Sequence, residues 1–116
     1  MGRSFLTRLS HLWTKPTLGG ESILDTGSGF MVMTHGTGPA VHSRVLIISG
    51  PESIAIRMLD HKGLPEKSLL LRRNLAHIAT GDESDTIEIR YPDDVEIRLG
   101  KLARPTQKVL LDPTGT

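Results

Sequence analysis

Short runs of apolar residues recur along this chain, and turn-forming residues separate them. Ile54, Ile56 and Met58 are spaced two apart with single residues between them, which is the pattern of a strand with one face toward water. Further apolar runs or alternations occupy residues 30–33, 45–48, 69–71, 87–89, 95–99 and 109–111. Strand spacing dominates, so the pattern predicts a mostly β protein.

The strongest internal signal is a duplication. Seven residues of the first copy (Ile48, Pro51, Glu52, Ile54, Ile56, Arg57, Met58) match seven of the second at a constant shift of 41 (Ile89, Pro92, Asp93, Val95, Ile97, Arg98, Leu99). At a shift of 40, Pro65 and the run 69–71 then match Pro105 and the run 109–111. We therefore predict an all-β small barrel or sandwich of two similar three-stranded units, at about 45–71 and 86–111. Both units lie in a single β domain spanning 19–116.

Residues 1–18 form a different kind of segment, with three basic residues and no acid. Its large apolar residues share one face at helical spacing: Phe5, Leu6, Leu9, Leu12 and Trp13. Pro16 would end the helix. The pattern predicts a short N-terminal amphipathic helix. It either docks its Leu/Trp face on the domain, or acts as a targeting segment or touches a membrane surface.

Composition narrows the possible functions. Of the 116 residues, 37% are hydrophobic and only 3% aromatic, so the core is expected to be aliphatic. The formal charge of +1 favours no class of partner, and any basic surface must be local. The chain has no cysteine, which excludes disulfides and thiolate chemistry. No apolar run reaches the roughly 18–20 residues of a membrane span. We expect a soluble, cytoplasmic protein without cofactor or metal, since the histidines lack ligand spacing.

The sharpest short motif is Ile23-Leu24-Asp25-Thr26-Gly27-Ser28. It resembles the signature of the aspartic proteases, in which two such carboxylates share one proton and activate a water molecule. A single copy in a short β chain implies a retroviral-type homodimer. In it Asp25 would be catalytic, and Thr26 and Gly27 would hold the active-site loop. The alternative is an ordinary Asp/Gly/Ser turn between strands.

A second resemblance spans most of the chain. Phe5-Leu6-Thr7-Arg8 and Gly20-Glu21-Ser22-Ile23 resemble the opening elements of the carbon storage regulator family. A second, tandem copy of the family pattern would start again at Leu71-Arg72-Arg73. Ile97-Arg98-Leu99-Gly100 and Ala103-Arg104-Pro105 resemble the later elements of that copy. The family consists of small, interlocked β dimers that bind RNA. The resemblance implies that Thr7, Arg8, Arg72 and Arg73 contact RNA.

Apart from any family, Arg72 and Arg73 form a basic cluster with Lys62, Lys67 and Asn74, and such clusters neutralise phosphates. The leading hypothesis is a non-enzymatic β binding module that binds RNA as a post-transcriptional regulator and self-associates. One alternative is a structural protein that assembles into homo-oligomers through its β edges. The other is the homodimeric aspartic protease that uses Asp25.

Overall fold

The structure is a computed structural model, and it describes residue 18 and residues 20–114. The predicted N-terminal helix therefore lies outside the described residues. The described chain forms seven strands and one helix: β1 (Asp25–His35), β2 (Val41–Ser49), β3 (Ser53–Leu59), β4 (Pro65–Arg72), β5 (His77–Thr80), β6 (Ile87–Tyr91), β7 (Val95–Gly100) and α1 (Arg104–Leu111). Within these residues no helix is long and apolar enough to cross a membrane. The prediction of a mostly β protein is confirmed.

The seven strands belong to one antiparallel sheet in the order β4-β3-β2-β1-β7-β6-β5. The two edge strands, β4 and β5, are joined by a single 3-10 turn at Arg73–Leu75. Because so short a link connects opposite edges, the sheet must curl until those edges approach each other. The hydroxyl of Tyr91 on β6 accepts a hydrogen bond of 3.0 Å from the backbone N–H of Arg72 on β4, across the gap. The result is a curled half-barrel.

One face of the sheet, here called the inner face, carries the main core. Successive side chains of a strand point to opposite faces, so alternate residues of each strand lie inside. In register, Ile47 faces Ile56, and Met31 faces Leu99. The buried residues are aliphatic or methionine: Met31, Val45, Ile47, Ile54, Ile56, Met58, Leu71, Ile87, Ile89, Ile97, Leu99, Leu102 and Leu110. The expected aliphatic core is therefore present.

The prediction that residues 109–111 form the third strand of the second unit is wrong, because these residues belong to helix α1. Pro105 stands in the first turn of the helix, where its fixed φ is favourable and its missing N–H is not needed. Thr106 and Leu110 are four residues apart and both buried, so helical spacing places them on one face. The matching residue of the first copy, Pro65, begins the edge strand β4, which is an equally permitted place for proline. A run of three apolar residues is compatible with either a strand or a helix, so the sequence pattern alone could not distinguish the two.

Candidate functional site

The Asp25-Thr26-Gly27 motif lies in the first residues of the central strand β1, and not in a turn between strands. It is paired with β2, with Asp25 opposite Ser49 and Gly27 opposite Ile47. Gly27 points to the inner face, and a Cβ there would overlap the side chain of Thr106 in α1. The glycine is therefore explained by the helix that packs directly on it.

A second glycine of the same strand has the same role. A Cβ at Gly29 would lie 2.6 Å from the carbonyl oxygen of Gly100 and 2.7 Å from Cδ2 of Leu102. The segment that leads from β7 into α1 thus crosses β1 at close range. Local packing accounts for Gly27 of the protease-like motif and for Gly29 just after it, and catalysis by Asp25 stays a prediction.

Asp25 and Ser49 form a polar pair at the end of the inner face. Ser49 is fully buried. Its Oγ and Oδ2 of Asp25 are both buried without a hydrogen-bond partner within the described part of the chain. Buried polar atoms are normally satisfied, so this pair is an exception within the fold. Within one chain, this pair therefore consists of one carboxylate and one hydroxyl, whereas an aspartic protease site needs two carboxylates.

Arg73, predicted to bind RNA, has its guanidinium turned into the protein. Its Nε donates to the carbonyl oxygen of Gly50 at 2.8 Å. The two terminal nitrogens donate to the carbonyl oxygens of Leu110 (2.8 Å) and Val109 (2.9 Å), in the last turn of α1. Burial lowers the pKa of this guanidinium, and the charge of Glu21 opposes that shift. A cation at this end of a helix satisfies carbonyls that have no helical donor. Arg73 joins the helix to the β2–β3 turn.

The same turn is held from the other side by Glu21. Its Oε1 accepts hydrogen bonds from the backbone N–H groups of Glu52 (2.8 Å) and Ser53 (3.0 Å). A hydrogen bond from the Ser53 side chain lowers the pKa of Glu21, these backbone bonds and the charge of Arg72 add to the effect, and desolvation opposes it. The chain entering from the N-terminus is thereby fixed to the turn.

The other residues of the predicted basic cluster are not brought together. Arg72 is exposed at the end of β4, whereas Lys67 lies five residues earlier in that strand, about 16 Å away at the rise of an extended chain. Lys62 lies in the β3–β4 turn, where its N–H donates to Asp60. Thr7 and Arg8 lie outside the described residues. Of the four predicted RNA contacts, only Arg72 is seen with an exposed side chain at a strand end.

A different basic surface appears on the outer face, the side of the sheet opposite the main core. The outward positions of β1, β2 and β3 carry no carboxylate: residues 26, 28, 30, 32 and 34, residues 42, 44, 46 and 48, and residues 53, 55, 57 and 59. They include Arg44 and Arg57. Outward carboxylates occur on the neighbouring strands instead, at Glu66, Glu88 and Glu96. The near-neutral chain therefore has a locally basic face across three strands.

The centre of this face is a line of three side chains, which we call the basic-aromatic row: Lys101, Phe30 and Arg44. Phe30 is 46% exposed, which is unusual for a phenylalanine in a central strand. Arg44 lies directly opposite Phe30 on β2. On the other side, Nζ of Lys101 lies 5.1 Å from the centre of the Phe30 ring, within the range of a cation–π contact. An exposed ring between two cations offers stacking and charge neutralisation at one place.

The sequence pattern did not predict this row, because the continuous apolar run at 30–33 suggests a strand that is buried on both faces. Only Met31 of that run is fully buried, since the run alternates between the two faces. A usable signal was present: Phe30 follows Thr26 and Ser28 at two-residue spacing, and these polar residues mark the wet face of β1. Arg44 and Lys101 come from distant parts of the chain, and strand register alone brings them to Phe30.

No family model matches this chain, and neither does any curated protein sequence. Among solved structures, the chain is similar to the crystal structure of the C-terminal domain of an unknown protein from Leishmania infantum. The two share 13% sequence identity and a TM-score of 0.60, over 94% of this chain and 96% of that one. This similarity concerns the fold alone. Among the described residues, no three histidine or carboxylate side chains gather where they could hold a metal ion.

Proposed function

We propose that this protein is a non-enzymatic β binding module that binds single-stranded RNA on the outer face of β1–β3. The observation that carries the proposal is the basic-aromatic row. Bases of single strands stack on exposed aromatic rings, and cations beside the ring neutralise the adjacent phosphates. A single-stranded nucleic acid is chosen over other polyanions because a bare anion gains nothing from an exposed ring.

The arrangement of charge around the row supports the same proposal. Arg57 on β3 pairs in register with Leu46, the outward neighbour of Arg44 on β2. Successive outward residues of a strand are about 7 Å apart, close to the spacing of phosphates along an extended strand of nucleic acid. Lys101 and Arg44 thus flank the ring, and Arg57 adds a third cation on a surface about three strands wide. Arg72 lies at the end of β4, next to this face, as a further contact.

The test is fluorescence anisotropy with a fluorescein-labelled, mixed-sequence RNA of 12 nucleotides, titrated in 50 mM salt and again at higher salt. We expect a dissociation constant in the micromolar range and a steep loss of affinity with salt. Phe30→Ala should weaken binding by about 10-fold, the order found for loss of one stacked base. Arg44→Ala should lower the slope of log affinity against log salt by about one, as for one phosphate contact.

The matched control is Arg90→Ala. Arg90 is also an exposed outward arginine of the same sheet, but it lies beside Glu96, 3.7 Å from it. Its loss should change RNA affinity by less than about twofold, since its charge is already balanced. Absence of binding by the unmodified protein in 50 mM salt, or full affinity of Phe30→Ala, would refute the proposal.

A second candidate function, assembly through β edges, rests on one observation. β4 ends the sheet order with eight residues, and its outward Leu70 is 55% exposed. Strands at the end of a sheet offer unpaired backbone groups to another chain. Light scattering over a hundredfold range of concentration tests it: a defined oligomer supports assembly, and a monomer throughout removes it.

A further inference from the structure

Two outward arginines, Arg44 on β2 and Arg57 on β3, are diagonal neighbours on the outer face. Arg57 is directly opposite Leu46 in register, and Arg44 is two residues before Leu46, so the three side chains leave the same face of the sheet. Diagonal neighbours of an antiparallel pair are about 7–8 Å apart, which is within reach of long side chains. Both guanidinium groups can therefore contact a single group that binds between them.

Neither arginine has a partner among the residues that the structure describes. In that part of the chain the ion pair joins Arg90 to Glu96, and the side chains of Arg44 and Arg57 make no hydrogen bond. Nε of Arg57 is buried without an acceptor. By contrast, the three side-chain nitrogens of Arg73 each donate to a carbonyl oxygen. Like charges placed close together on a sheet repel each other, so the pair is an unbalanced double positive charge.

Hydroxyl groups border the pair along the next row of the sheet. Ser28 on β1 is opposite Leu46, and Ser68 on β4 is opposite Arg57, so the row reads serine, leucine, arginine, serine across four strands. Both serines are exposed, and Leu46 between them is half-buried. A hydroxyl can donate a hydrogen bond to a phosphate oxygen, and a guanidinium can donate two. The patch thus offers the donors that a phosphate group needs.

Two carboxylates lie near the border of the patch. Asp60 is engaged in its own turn, where Oδ1 accepts hydrogen bonds from the backbone N–H groups of Lys62 (2.8 Å) and Leu64 (3.0 Å). Glu66 lies on β4 two residues before Ser68, and within the described chain it forms no ion pair. The charge of the arginine pair is therefore open to an anion from outside the molecule.

We infer that Arg44 and Arg57 together bind the terminal phosphate of a single-stranded RNA whose end base stacks on Phe30. A phosphate monoester carries about −1.5 to −2 charges at pH 7, whereas each internal phosphodiester carries one. Two guanidinium groups on one phosphate match the charge of the monoester. Phe30 is directly opposite Arg44, so the base and the phosphate of one nucleotide contact adjacent strands. The inference rests on the proposed RNA binding and names the part of the RNA that occupies this face.

The test compares three forms of one 12-nucleotide RNA, labelled at an internal base and carrying a 5′-phosphate, a 3′-phosphate or hydroxyl groups at both ends. In 50 mM salt we expect one phosphorylated form to bind about 10-fold more tightly than the hydroxyl form, and its identity fixes which end is bound. Equal affinity of the three forms would overturn the inference and leave RNA binding intact. Absence of binding by all three would refute RNA binding itself.

Arg57→Gln should abolish the preference for a terminal phosphate. We expect its affinity for the preferred form to fall about 10-fold and its affinity for the hydroxyl form to change by less than about twofold. An equal loss for both forms would place Arg57 on an internal phosphate and overturn the inference. The matched control is Arg98→Gln, since Arg98 is also an exposed outward arginine but pairs in register with Glu88, and it should keep the preference.

Phosphorus NMR of the preferred RNA gives a measurement on the unmodified protein. On binding, the resonance of the terminal phosphate should shift more than those of the internal phosphates, because it alone contacts two guanidinium groups. A terminal resonance that shifts no more than the internal ones would contradict the inference. Arg57→Gln should fold, since loss of its guanidinium leaves no protein acceptor unpaired, and urea denaturation checks this.

Discussion

The hairpins β2–β3 and β6–β7 have nearly the same pattern of residues, yet the fold treats them differently. Both place most of their large aliphatic residues on the inner face. On the outer face, β2–β3 carries Ile48 and Ala55 under Leu18, whereas β6–β7 carries the exposed pair Arg90 and Glu96. One end of the outer face of the first hairpin is therefore covered, whereas the exposed pair leaves that of the second hairpin open. The inward residues specify a hairpin, and the outward residues specify what surrounds it.

The hairpins also occupy different places. In the first, the earlier strand β2 lies next to β1, while in the second it is the later strand β7 that does so. The element that follows becomes the edge strand β4 in one case and helix α1, packed on Gly27, in the other. Similar sequences thus lead to similar hairpins but not to equivalent units. Four variants sharpen this comparison, from the largest expected effect to the smallest.

Arg73→Ala should have the largest effect, because it breaks the link between the turn of the first hairpin and helix α1. Three carbonyl groups lose a charged donor, and two of them belong to the last turn of the helix. We expect a loss of about 3 kcal/mol in the free energy of unfolding, measured by urea denaturation. Arg73→Lys, which keeps the charge but not the planar fork, should lose about half as much. Unchanged stability of Arg73→Ala would show that the two regions are not coupled.

Gly27→Ala tests the position of α1 on β1. Its methyl group would overlap Thr106, so we expect a loss of about 2 kcal/mol from overpacking. Thr106→Ala removes the overlapping hydroxyl and methyl groups and should restore most of that loss in the double variant. A double-mutant cycle of thermal unfolding measures the coupling. If the losses of the two single variants simply add up in the double variant, helix α1 does not pack on Gly27.

Glu21→Gln removes the carboxylate that binds the turn of the first hairpin, and its effect on the free energy of unfolding should depend on pH. The pKa of Glu21 lies below its ordinary value of 4.5 in the folded protein, so the carboxylate contributes stability above that pH. The contribution disappears as pH falls through the folded pKa. At pH 7 we expect the variant to lose about 1 kcal/mol, the size of a hydrogen-bond effect. The difference between the two proteins should vanish in strong acid, and a constant difference from pH 7 to pH 3 would contradict the assignment.

Glu96→Gln should have the smallest effect, since it removes only the exposed ion pair on the second hairpin. The side chains of Arg90 and Glu96 are 73% and 65% exposed. Solvent screens such a pair, so the free energy of unfolding should change by less than about 0.5 kcal/mol. A loss as large as that of Glu21→Gln would mean that the outer face of the second hairpin is also structural.

Part of this fold could be predicted from local pattern. Alternation at 54–58, 87–89 and 95–99 specified strands and their buried sides, because side-chain direction in a strand depends only on position. The candidate site could not be predicted in this way. Phe30, Arg44 and Lys101 are far apart in sequence, and Arg73 has the appearance of a free cation until its three carbonyl acceptors are known.

By itself the sequence determined that the chain would be mostly β, with an aliphatic core and two similar hairpins. These properties follow from the period of the apolar residues and from the scarcity of aromatic ones. The tertiary structure decided that residues 109–111 form a helix, that Gly27 and Gly29 make room for it, and that Arg73 supports it. The physical reason is that a short apolar run can be buried as a strand or as a helix, and only the space left by the rest of the sheet selects between them.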